Sequence, residues 1–106
     1  MLISTTHNLE GKNIKEYKGV VFGEVVNGIN FIKDFTINIT NAIGGRASEY
    51  EDELIESRAD ALSEMMKRAE KVGANAVIGV KVDYEPIGEN GYMLMVVASG
   101  TAVVIE

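Results

Sequence analysis

A chain of 106 residues with a net charge of −6 and no cysteine has the size of one domain, and its composition excludes several classes of function. The acidic balance argues against nucleic acid and membranes as partners, because both attract basic surfaces. Without a thiol there is no disulfide and no thiolate ligand for a metal ion. The missing cysteine and the absence of a signal-peptide pattern lead us to expect a cytoplasmic location.

Two β-strands are predicted in the first quarter of the chain. Residues 1–6 have the pattern of a short strand that ends at a turn-prone segment, residues 8–11. Residues 17–26 are rich in valine, which favours a strand. Gly19 and Gly23 within this strand predict a bulge or the close approach of another backbone.

The next two elements are predicted to be helices. Residues 29–43 contain β-branched residues, but their apolar side chains repeat on one helical face, which favours a short helix. Residues 48–72 have apolar side chains spaced by three and four, acidic residues before basic ones, and Gly73 as a C-cap. The apolar stripe of this long helix covers nearly half of its surface. We therefore expect the helix to pack on a sheet and also on a neighbouring subunit.

The last third of the chain predicts a β-hairpin. A strand at residues 75–84 is expected to be ended by Pro86 and Gly88, and residues 89–91 supply a hairpin turn. The return strand, residues 92–98, is expected to continue over residues 101–105 after a bulge at Gly100. The order of elements predicts an α+β fold, in which a small, mainly antiparallel sheet carries one short and one long helix on one face.

Four sequence blocks, taken together, resemble the YbjQ-like family of heavy-metal-binding proteins. They are Gly44-Gly45-Arg46, an amphipathic segment with Tyr50, Arg58, Met65 and Ala69, residues 73–77, and residues 100–103. The resemblance implies a single YbjQ-like domain over residues 1–106, with a dodecin-like subunit. It also implies a homopentameric ring, in which short extra strands pair between neighbours.

Arg58 is the most unusual residue of the long helix, because Leu54 and Leu62 place it inside the apolar stripe. Arginine is almost never buried without a partner. The structural interpretation is an ion pair with a carboxylate, within or between subunits, and Asp34, Asp83 and Glu85 are the candidates. The functional interpretation is a guanidinium that binds an anion in a pocket.

The candidate ligand-binding residues are Asp34, Arg46, Tyr50 and Arg58, which we expect to gather at one concave subunit interface. Gly44 and Gly45 before the long helix either expose N–H groups to an anion or supply a turn with positive φ. No catalytic residue is assigned, because the chain has one histidine, no cysteine and no nucleophile motif.

Metal binding depends on few donors. His7 is the only imidazole, and methionines at the observed spacing are usually core residues. A zinc site needs three or four ligands, which a ring would supply by gathering copies of His7 or Asp34. A metal ion is the only cofactor that the resemblance suggests, and no ligand set is assigned to it.

Three hypotheses follow from the sequence. The first is a ring, a homopentamer, that binds a small ligand or a metal ion at its subunit interfaces. The second is an enzyme with a carboxylate–arginine site around Asp34, Tyr50 and Arg58. The third is a purely structural assembly. Clustering of the four candidate residues at one concave interface would separate the first two hypotheses from the third.

Overall fold

The computed structural model describes residues 1–27, 47–88 and 93–106, and the side chains of the helix from Glu51 onward. Its elements in chain order are β1 (Leu2–Ile3), β2 (Ile14–Asn27), α1 (Ala47–Lys71), β3 (Ala76–Ile87) and β4 (Met93–Ile105). The predicted α+β class and the long helix are confirmed. The predicted short helix at residues 29–43 and the turn at residues 89–91 lie outside the described residues. Within the described residues, α1 is the one helix present.

The described strands form one sheet in the order β1-β3-β4-β2. β4 pairs antiparallel with β2 on one side and with β3 on the other, whereas β1 runs parallel to β3. β3 continues through Pro86, one of the two residues predicted to end it, and stops at Ile87, directly before Gly88, the other one. β1 pairs only with Ala76 and Val77. Among the described strands, β3 therefore lies at an edge near Pro86, and proline is tolerated at edges because its missing N–H need not break a ladder.

A bulge is present opposite Gly100, but its extra residue belongs to β3 and not to β4, where it was predicted. Ile78 lies opposite Thr101 and Lys81 opposite Ser99, so Gly79 and Val80 share the position opposite Gly100. Gly79 has a positive φ of 60°, which an L side chain rarely adopts. The bulge presents its N–H groups to the N-terminal segment. Gly79 N donates to Thr6 O at 2.8 Å, and Val80 N donates to Ser4 O at 3.0 Å.

The predicted close backbone approach at Gly23 is confirmed. One face of α1 is buried along Ser57, Ala61, Met65 and Ala69, which are spaced by four residues. A Cβ on Gly23 would overlap the carbonyl oxygen of Ala61 and lie 2.5 Å from the Met65 nitrogen. The helix therefore rests directly on the backbone of β2. The predicted irregularity at Gly19 is also present, as a register shift between Tyr17 and Gly19.

The core has a large part under the helix and a small part on the opposite face of the sheet. The large part joins residues of α1 to all three long strands, and it is lined by Val21, Ala61, Met65, Ala69, Ala74, Val77, Val80, Val96, Ala98 and Ala102. The small part contains Ala76, Ile78 and Val103, covered in part by Leu9 and Ile14. The segment after β1 thus closes one end of the second sheet face.

Gly23→Ala should lower the free energy of unfolding by about 3 kcal/mol or more. Gly23 has no positive φ, so alanine suits its backbone and would otherwise favour the strand. The loss must come from the overlap with α1. Urea denaturation measures it, with Lys15→Ala on the same strand as the control, because the Lys15 side chain is 64% exposed. A Gly23→Ala protein as stable as this control would contradict the packing described here.

Candidate functional site

The structure places the side chain of one of the four candidate ligand-binding residues. Asp34 and Arg46 lie outside the described residues, and Tyr50 belongs to α1 without a described side chain. Arg58 is exposed. Arg58 is therefore not buried within a single subunit, and an ion pair between subunits stays a prediction. Whether the four residues meet at a subunit interface stays a prediction.

Arg58 is exposed because the buried face of α1 is narrower than its apolar stripe. The contact with Gly23 turns the row of residues from Ser57 to Ala69 toward the sheet. Arg58 follows Ser57 directly, so its side chain is rotated by about 100° around the helix axis from that of Ser57. Leu54 and Leu62, which bracket Arg58 in sequence, are only half-buried. The residues that control the orientation of the helix are thus the small ones.

Two of the three carboxylates proposed as partners of Arg58 lie on the wrong side of the sheet. Val80 and Val82 pack into the core under α1, so the alternating residues Asp83 and Glu85 face away from the helix. An ion pair between either carboxylate and Arg58 of the same chain is therefore excluded. Asp83 instead has an exposed contact with Lys81, with its Oδ1 3.4 Å from the Nζ, and such pairs contribute little to stability.

Ser57 is the buried polar residue of the helix, and the sequence analysis assigned it no role. It is 4% exposed, and its Oγ accepts a hydrogen bond of 2.7 Å from Asn27 Nδ2. The bond joins α1 to the last residue of β2. Its spacing of four residues from Ala61 would have placed Ser57 on the buried line, had the small residues rather than the leucines been used to orient the helix.

Arg68 is a second residue that the sequence analysis missed. Its Nη1 donates to the backbone oxygen of Phe22 at 2.8 Å and lies 2.8 Å from Glu24 Oε2. Its Nε is 3.8 Å from Glu64 Oε1 on the same helix. Arg68 therefore joins α1 to the outer side of β2, on both sides of the Gly23 contact.

A cleft of about 450 Å³ lies beside the helix. It is lined by Ile3, Ser4, Thr5, Leu62, Val80 and Val82. The cleft exists because α1 packs mainly over β2 and β4 and barely touches β3. Its walls are almost entirely aliphatic, with the two hydroxyl side chains of Ser4 and Thr5, so it suits an apolar group rather than an ion.

The described residues of one chain do not fit a metal ion. Across residues 1–27, 47–88 and 93–106 there is no group of three or more His, Cys, Asp or Glu side chains that could hold one. His7 is exposed, and its ring lies over the Gly79 bulge, where a Cβ on Gly79 would be 3.1 Å from the His7 Nδ1. In the same part of the chain, no helix is long and apolar enough to cross a membrane.

Comparison with known proteins gives consistent matches over the whole length. Residues 1–106 match a YbjQ family model that is described as "Putative heavy-metal-binding". A UPF0145 protein of Acetivibrio thermocellus is 59% identical over 106 residues, with all of both chains covered. A UPF0145 protein of Clostridium botulinum is 60% identical with the same coverage, and one of Listeria ivanovii is 58% identical, with 96% of its length covered.

A solved structure has a similar fold. It is the crystal structure of a protein of unknown function from Pediococcus pentosaceus, which belongs to the DUF74 family. The TM-score is 0.57 at 23% sequence identity, and the match covers 100% of this chain and 98% of that one. At this level of identity the similarity concerns the fold alone.

Ser57→Ala and Arg58→Ala form a matched pair of neighbouring substitutions. Ser57→Ala should lower the free energy of unfolding by about 1 kcal/mol, because the Asn27 amide loses its acceptor. Arg58→Ala should change it by less than about 0.5 kcal/mol, because the side chain is exposed. Chemical denaturation of both variants measures the difference. A larger loss of stability for Arg58→Ala would instead support the hypothesis that Arg58 forms a buried ion pair.

Proposed function

We propose, because this chain belongs to the YbjQ family, that it forms a closed homo-oligomer and binds a small ligand or a metal ion where its subunits meet. The family membership itself is established by the match over residues 1–106 and by relatives of about 60% identity. The proposed number of subunits is five, as the resemblance implies. We also propose a cytoplasmic location, with neither nucleic acid nor membranes as partners.

The observation that carries this proposal is the apolar surface that the subunit leaves uncovered. On the face of β2 away from α1, Val20, Phe22 and Val26 are 66%, 46% and 52% exposed. They follow one another at every second or fourth residue, so they lie on the same face. Glu24 is the one charged side chain among them on this face. Exposed apolar side chains grouped in this way are common at interaction sites.

Further apolar side chains are exposed elsewhere on the subunit. Ile55 and Val72 are exposed on α1, and Tyr84 is exposed on β3. Tyr84 follows Val80 and Val82 on the helix side of β3, in line with the cleft beside Leu62. A neighbouring subunit that covered this surface would turn an open cleft into an enclosed site. This supports placing a small apolar ligand at the interface.

A metal ion would need donors from more than one subunit. The described residues of a single chain offer no set of three ligands, and His7 is the only imidazole in the sequence. Rotational symmetry places one copy of each residue per subunit around an axis, so a single exposed histidine becomes several. The proposal therefore links metal binding to assembly.

No specific observation favours the enzyme hypothesis. Of its residues Asp34, Tyr50 and Arg58, the structure describes the side chain of Arg58 alone, and that side chain is exposed. A purely structural assembly is the outcome that remains if the oligomer forms but binds neither ligand nor metal.

The wild-type protein should have a mass in dilute buffer close to five times the 11.5 kDa of one chain. Phe22→Ser should lower this mass, because it removes the centre of the exposed patch, whereas Glu10→Ser on the N-terminal loop should not. Size exclusion with light scattering at micromolar concentration measures the three proteins. A single species of 11.5 kDa would refute the oligomer, and a dimer would refute the ring.

Zinc or copper(II) should bind with a stoichiometry below one ion per chain, and His7→Ala should abolish the binding. The physical reason is that several subunits must contribute their imidazoles to one ion. Thiophilic ions should bind no more tightly than about micromolar, or about −8 kcal/mol, because the chain has no thiol. Calorimetric titration measures both. One tight ion per chain, unaffected in His7→Ala, would show a site made of other donors.

A further inference from the structure

β2 is an edge strand among the described strands, and its outer side is chemically suited to accept another strand. It pairs only with β4, in unbroken register from Gly19 to Asn27. In an antiparallel ladder the N–H and C=O of alternate residues point to the same side. The Phe22 carbonyl points outward, since it accepts from Arg68 rather than from β4. By the same alternation, the backbone groups of Val20 and Glu24 also point outward.

The centre of this edge lacks the usual protection against strand addition. Residues 19–23 contain no charged side chain and no proline. Toward the start of β2, the edge is protected by two register shifts, one between Ile14 and Glu16 and one between Tyr17 and Gly19. Bulges of this kind twist an edge away from a partner strand. The segment from Val20 to Glu24 is thus the part at which another strand would find regular geometry.

Arg68 occupies that part of the edge. The guanidinium extends from α1 over β2 and donates to the Phe22 oxygen, while Glu24 and Glu64 hold it from two sides at 2.8 and 3.8 Å. Helix packing on Gly23 brings Arg68 within reach of the edge, because the backbones of α1 and β2 touch there. We propose that the outer edge of β2 is a surface for pairing with β2 of a second copy of this chain, and that Arg68 keeps it closed.

A second copy is the occupant that the edge fits best. Two β2 strands related by a two-fold axis at Phe22 run antiparallel, so each outward N–H and C=O meets its counterpart. In that register Val20 of one strand lies opposite Glu24 of the other, so the two Glu24 carboxylates do not face each other. The exposed side chains of Val20 and Phe22 would then pack across the pair.

Arg68→Met tests the proposal with Lys67→Met as its matched control. Both variants lose one positive charge from α1 and keep an unbranched side chain, but only Arg68 contacts β2. We expect Arg68→Met to form species larger than the wild type as concentration rises, and Lys67→Met to match the wild type. Amide hydrogen exchange at Val20 and Phe22 should slow roughly tenfold or more in the larger species, because these N–H groups become paired.

Two further variants keep the test decisive. Glu24→Gln leaves Arg68 and the helix in place but frees the guanidinium from its carboxylate, so it should shift the mass in the same direction. Adding Val20→Glu to Arg68→Met should reverse the association, because each new carboxylate would lie opposite Glu24 of the other strand, and like charges directly opposite each other destabilise a strand pair. The proposal is overturned if Arg68→Met and Glu24→Gln both keep the wild-type mass and the wild-type exchange at Val20 and Phe22.

The outcome is independent of the proposed function. The mass of the wild-type protein decides whether the closed oligomer exists, whereas the edge is judged by the difference between each variant and the wild type. A monomeric wild type with an associating Arg68→Met would refute the ring and support the closed edge. An oligomeric wild type whose mass and exchange are unchanged in both Arg68→Met and Glu24→Gln would support the ring and refute the closed edge.

Discussion

The contact between α1 and the backbone of β2 at Gly23 determines most of the arrangement. Because no side chain separates the two backbones there, the helix is held over β2 and β4 and leaves β3 largely uncovered. The same contact turns Ser57 and Met65 inward and Arg58 outward. The cleft, the exposed Arg58 and the reach of Arg68 to the Phe22 carbonyl are all consequences of this one close approach.

The strands, the long helix and the close approach at Gly23 could be predicted from the sequence, because each depends on local residue pattern. The orientation of the helix could be predicted only in part. Ala61, Met65 and Ala69 of the predicted apolar stripe are buried. Arg58, which Leu54 and Leu62 bracket in that stripe, is exposed, and Ser57 is buried instead. What decides the orientation is shape: small residues on the helix facing a glycine on the strand, which a hydrophobic scale does not measure.

The candidate site was the least predictable part for a related reason. Arg58 was selected by its neighbours in sequence, yet the carboxylates Asp83 and Glu85 that could pair with it alternate onto the other face of β3. The bulge was assigned to Gly100, whereas the extra residue is on β3 at Gly79 and Val80. In both cases the answer depends on how two distant strands align. Single-strand patterns do not contain that information.

The pairing of the strands also bears on how the chain reaches its fold during synthesis. β2 finds its only described strand partner in β4, and Ile14 lies opposite Ile105 near the far end of the sequence. β1 can pair with β3 only after Ala76 and Val77 have been synthesised. Every described ladder of the sheet therefore requires residues from the last third of the chain. Such long-range contacts slow folding, and among the described strands the valine-rich β2 has no partner until β4 has been synthesised.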